Sequence, residues 1–117
     1  MSEVAALEEQ LSGTKDAIER RDRALRLYNN PDFKKLLLDE YCVQECARYA
    51  QLSADPALDD RQRADALAIA QAAGHLRRFL SMCIQLGNSA ERSIPELEEA
   101  IAAARAEEDG GSMEGHA

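Results

Sequence analysis

The chain has no tryptophan, two phenylalanines and three tyrosines among 117 residues. Large rings to fill a deep core are scarce, and so are aromatic platforms for stacking nucleic-acid bases. Its three cysteines are an odd number and cannot complete an intrachain disulfide framework, so a reducing setting is expected. Glu8 and Glu9 fall where a secretory leader would be uninterrupted and apolar. No run approaches the roughly eighteen apolar residues of a membrane-spanning helix. Glycine-rich phosphate loops, HExxH and EF-hand loops are all missing.

What the chain does have is alanine, charge and helical spacing. Alanine favours helix and lets helices approach closely, but each one buries little area. A single copy should therefore have a modest core, and oligomerisation is a common remedy for small chains. The net charge of −8 is unevenly spread. Residues 1–54 carry ten acids and eight bases, 55–88 four of each, and 89–117 eight acids and two bases. The acidic C-terminal segment should repel nucleic acid and anionic membranes.

Val4, Leu7, Leu11, Thr14, Ile18, Arg21, Leu25 and Tyr28 are spaced alternately three and four apart. That spacing predicts a long helix with one mainly apolar seam, which needs a protein partner. Val4, Leu7, Leu11, Ile18, Leu25 and Tyr28 are the candidate intersubunit contacts. Thr14 and Arg21 interrupt the seam; a bend or roll there would let Ala17 and Ala24 take over the contact. A second series, Ala66, Ile69, Ala73, Leu76, Leu80 and Cys83, continues through Ala90, Ile94, Leu97, Ile101 and Ala104.

Helices are expected at about 3–28, 31–53, 60–87 and 95–108, in one domain over 1–108, with an acidic disordered tail at 109–117. Ser2 is a good first cap. Asn30 precedes Pro31, a pairing that ends one helix and starts the next. Asp59 or Asp60 caps the third. Gly87-Asn88-Ser89 weakens that helix, and Pro95 either starts a fourth or kinks a continuing one. Apolar residues wrap more than half of the second helix, so it is expected to be central and covered from two sides.

Four chemical constellations compete with plain packing. Cys42, Cys46, Cys83 and His75 have the residue types of a zinc site, but cysteine in apolar surroundings is more often simply buried. His75 beside a cysteine would need an orienting acid to be nucleophilic machinery, and none is apparent. Arg20, Arg23, Arg77 and Arg78 are candidates for anion binding, although Asp16, Glu19 and Asp22 interleave the first two and can pair with them. Paired acids such as Asp59/Asp60 and Glu98/Glu99 are explained by caps and helix dipoles. No catalytic, metal or cofactor residue is assigned.

Residues 29–56, NNPDFKKLLLDEYCVQECARYAQLSADP, followed by 61–80, RQRADALAIAQAAGHLRRFL, resemble a family of small helical proteins of tailed bacteriophages and prophages. The likeness lies in helix, cap and core positions and carries no chemical motif. The family favours aromatic or aliphatic residues where this chain has Cys42 and Cys46, which fits core positions. Some members are encoded near virion genes. The resemblance thus implies a role in a phage particle or its assembly, in the host bacterial cytoplasm or the virion, beside other phage proteins.

The expectation is an all-α protein, a helical hairpin or three- to four-helix bundle. It would be non-enzymatic, cofactor-free and self-associating through helix packing. The alternative is a small binding module for a phosphate-bearing ligand or a host protein. Nucleic acid and membranes are not expected partners.

Overall fold

Ser2 caps the first helix as expected: its Oγ accepts from the Ala5 amide at 3.1 Å. The computed structural model describes residues 2–114, with side chains to residue 110. Among these the chain is helical and has no strand. Helix α1 spans Glu3–Tyr28. Asn30 then accepts from the amides of Asp32 and Phe33, at 2.9 and 3.1 Å, and Pro31 occupies the first turn of α2, Pro31–Phe33. The backbone continues as a π-helix over Lys34–Glu45 and as α3 over Cys46–Leu52. Asp59 opens α4, Asp60–Glu114, through a reciprocal cap with Gln62 at 2.8 and 3.1 Å.

Two expectations change. The helices expected at 60–87 and 95–108 are one helix. Gly87 and Asn88 cost only propensity, and the apolar spacing on either side holds them in helical packing. Pro95 deprives the Glu91 carbonyl of a donor, but Pro95 is exposed, so water can serve that carbonyl. The tail expected over 109–117 lies in the last turns of α4 as far as Glu114, and outside the described residues beyond it. The chain groups into two compact units, one up to Asp22 together with Gln85 onward, the other Arg23–Ile84. No helix among the described residues is long and apolar enough to cross a membrane.

In the first unit, residues of α1 run antiparallel to the later part of α4. Arg105 pairs with Glu8, and Arg21 pairs with Glu91 at 2.6 Å and Asn88 at 3.0 Å. Leu97, Ile101 and Ala104 are buried, and Val4, Leu7, Leu11 and Ile18 are half-buried. Both polar interruptions of the seam are satisfied. Thr14 donates its hydroxyl to the Gln10 carbonyl at 2.9 Å. Arg21 lays its stem where Gly87 has no side chain; a Cβ there would lie 2.9 Å from its Cγ and Cδ and closer still to its Cβ.

In the second unit the helical stretch 31–52 runs antiparallel to the start of α4. The Arg77 guanidinium donates to the Leu38 carbonyl at 3.3 Å, and the Cys46 thiol to the Ala70 carbonyl at 3.3 Å. Ala66, Ala70, Ala73, Leu80 and Cys83 are buried on α4, and Cys42 on the facing helix. Small alanines allow this close approach. The half-buried and buried positions Leu38, Cys42 and Cys46 recur every four residues. That step is wider than the α-helical repeat and suits the i→i+5 bonding of a π-helix. The stretch is not covered from two sides as expected, because Leu36 is 61% exposed and Val43 52%. Ala24 is buried while Leu25 is exposed, so the contact rolls one residue at the end of α1.

Candidate functional site

The second unit leaves two apolar features uncovered. The first is a groove of about 450 Å³ along the π-helix, lined by Leu36, Leu37, Glu40, Tyr41, Gln44 and Glu45. The π-helical winding spreads these residues into two adjoining rows, 36/40/44 and 37/41/45. Two of its lining residues, Glu40 and Glu45, are acidic, and each has a basic neighbour. Glu45 is held by Arg48 at 2.8 Å, and that hydrogen bond keeps its carboxyl below the ordinary carboxylate range. Arg48, which also lies 4.3 Å over the Tyr49 ring, is raised in turn by the bond to Glu45. Lys35 approaches Glu40 only at 3.8 Å.

The second feature is a ridge on α4. Phe79 is 60% exposed, and Ile69 and Met82 are exposed beside it. Residues 66–84 contain Arg77 and Arg78 and no acid. Arg78 and His75 are exposed and make no hydrogen bond or ion pair with the described residues.

The candidate anion-binding residues do not form a pocket. Arg20, Arg23 and Arg78 are exposed, and Arg77 is engaged by the Leu38 carbonyl. None of the four lines the groove on the π-helix or a second groove, of about 280 Å³, lined by Glu8, Leu11, Glu98, Ile101, Ala102 and Arg105. The thiols of Cys42, Cys46 and Cys83 are free. Among the described residues no group of three or more His, Cys, Asp or Glu side chains is placed to hold a metal ion.

The candidate interface residues Val4, Leu7, Leu11 and Ile18 are half-buried along their own chain's α4, and Tyr28 is half-buried with its ring 6.1 Å from that of Phe33. Leu25 is exposed. Sequence spacing missed the ridge. Ile69 reads as part of the α4 series, although it stands one position from buried Ala70, as Phe79 does from buried Leu80. The signal that separates them is the row Ala70, Ala73, Leu80 and Cys83, whose positions are the ones turned inward.

Compared with known proteins, the chain matches no family model, no curated protein and no solved structure.

Proposed function

We propose that the chain is a non-enzymatic helical packing protein that associates with further copies of itself. The observation carrying this reading is how its apolar surface is distributed. No large side chain is fully buried among the described residues, while Leu36, Val43, Leu67, Ile69, Phe79 and Met82 of one unit are all exposed. A paired-helix layer without a third helix leaves such side chains in water, and a second layer would cover them. The resemblance of residues 29–56 and 61–80 to phage and prophage proteins directs the reading to phage particle structure or assembly, in the host cytoplasm or virion.

A phosphate-binding module has less support, because Arg20, Arg23, Arg77 and Arg78 share no groove and one of them is engaged by a carbonyl. Sedimentation and native mass measurement over a concentration series test the proposal. A defined oligomer is expected, and a monomer at every concentration would overturn it.

A further inference from the structure

We infer that residues 34–45 are a winding switch: π-wound while clamped to α4, and rewound as ordinary α-helix when that clamp is released. The inference concerns one chain and does not depend on self-association. Two side-chain pairs mark the present winding. Lys35 reaches Glu40 at 3.8 Å, and the Gln44 side-chain amide donates to Asp39 at 3.4 Å. Both pairs are five residues apart. On an α-helix, side chains meet at three and four residues, so neither pair would be neighbours there. The same four residues also match in the other register: Lys35 with Asp39, and Glu40 with Gln44, each four apart. Rewinding exchanges partners and strands none of them.

What holds the wider winding lies on α4. The Arg77 guanidinium donates to the Leu38 carbonyl and the Cys46 thiol to the Ala70 carbonyl, both at 3.3 Å. On α4 these bonds bracket seven residue steps, about 10.5 Å of α-helix. The facing helix places eight steps between the same levels, and as α-helix those would need about 12 Å. An i→i+5 ladder takes more residues into each turn and accommodates the extra step. Nothing inside the stretch asks for that winding. It holds no glycine or proline, and eight of its twelve residues are Leu, Lys, Glu or Gln, which favour α-helix.

Both ends are ready for the change. Phe33 at φ −63°, ψ −44° and Glu45 at φ −67°, ψ −39° have right-handed α torsions. The Cys46 amide is shared between the carbonyls of Tyr41 and Val43, five and three residues back, on either side of the ordinary α acceptor, Cys42. Conversion therefore needs small torsion changes and no flipped peptide. Its consequence falls on the groove. Inward positions every four residues turn the stretch by about 90° per residue, against about 100° in an α-helix. Over the twelve residues the difference is about a third of a turn. That rotation carries Leu36 and Leu37 round relative to α3 and takes apart the two rows that line the groove. The groove belongs to the clamped winding alone.

The experiment uses the full chain, isotope-labelled, and reads amide-to-carbonyl couplings across hydrogen bonds by nuclear magnetic resonance, with circular dichroism for total helicity. In the wild type the Cys46 amide is expected to couple to the Tyr41 carbonyl, and the amides of residues 40–45 to carbonyls five residues back. With Arg77→Ala and Cys46→Ala together, the couplings should move to carbonyls four residues back at unchanged helicity. A four-residue pattern already in the wild type, or a five-residue pattern that survives the double variant, overturns the switch. Lys35→Glu with Asp39→Lys tests it on exposed side chains away from the clamp. It sets like charges at 35 and 40 and opposite charges four apart at 35 and 39. At low salt the four-residue pattern should gain about two- to fivefold in population, read by relaxation dispersion at the Cys46 amide, and high salt should erase the gain. No response to this exchange overturns the switch even if the clamp variant does not fold.

Discussion

The thiol of Cys46 donates to the carbonyl of Ala70 at 3.3 Å, across the two helices of the Arg23–Ile84 unit. The contact exists because α4 presents alanine at 66, 70 and 73, so the helices come close enough for a side chain to touch backbone. Substituting Cys46→Ala should cost about 1 kcal/mol through the lost hydrogen bond and a small void. Ala70→Leu should cost more, about 1–3 kcal/mol, because it forces the helices apart. Thermal melts of the two variants should rank in that order.

Glycine substitutions should change sign with position. Gly87→Ala places a Cβ against the stem of Arg21, whose nearest atom is the Cβ itself and cannot swing aside. A loss of about 1–3 kcal/mol is expected. Gly13 and Gly74 have nothing within 4 Å of an added Cβ, and no described residue has positive φ. Alanine at either should stabilise by about 0.5–1 kcal/mol through backbone entropy. Chemical denaturation of the three single variants checks the contrast, and equal shifts would refute the close packing of Arg21.

Leu11→Asp combined with Ile18→Asp should unravel the pairing of α1 with α4. Leu11 shares a groove with Ile101, and both seam residues are half-buried. The pair should lose about 2–4 kcal/mol and much of the α1 ellipticity. Leu36→Asp, at an exposed site, should leave the helix signal of the single chain unchanged. Far-ultraviolet dichroism at low protein concentration separates the two outcomes.

Acid should weaken the π-helical stretch through Glu45. Its carboxyl is held below the ordinary carboxylate range by the hydrogen bond from Arg48. A depressed acid contributes stability that is fully present above its unfolded value and is lost as pH falls through the folded one. Stability should therefore be flat near neutrality and decline through and below the usual carboxylate range. Glu45→Gln should show a smaller decline over the same window. The pair is exposed, so salt should shrink the difference. Urea midpoints measured against pH, with and without added salt, test this.

Much of the local structure is legible in the residues, because caps are short-range chemistry. Ser2, Asn30 and Asp59 each announce a helix start, and each accepts the expected amide. The continuity of α4 is legible only in part. Gly87-Asn88-Ser89 and Pro95 look like punctuation, yet the apolar spacing from Leu80 to Ala104 runs through them, and packing outweighs propensity. The π-helix is written faintly, in the four-residue steps of Leu38, Cys42 and Cys46. The uncovered ridge is not legible at all from spacing. Phe79 and Leu80 are adjacent and both apolar, and only the position of a facing helix decides which is turned inward. The arginines mislead for a similar reason: their density suggests a shared pocket, while three-dimensional placement gives Arg77 to a carbonyl and leaves Arg78 in solvent.

The fit of Arg21 over Gly87 also restricts how α1 and the later part of α4 can slide past each other. A slip of one heptad would set the arginine stem against Ile94 or Leu80 in place of the glycine, and carry its guanidinium away from Asn88 and Glu91. Repetitive apolar seams tolerate such misalignment easily. Here a single missing side chain acts as a notch, and this helix pair has one frame in which it can close.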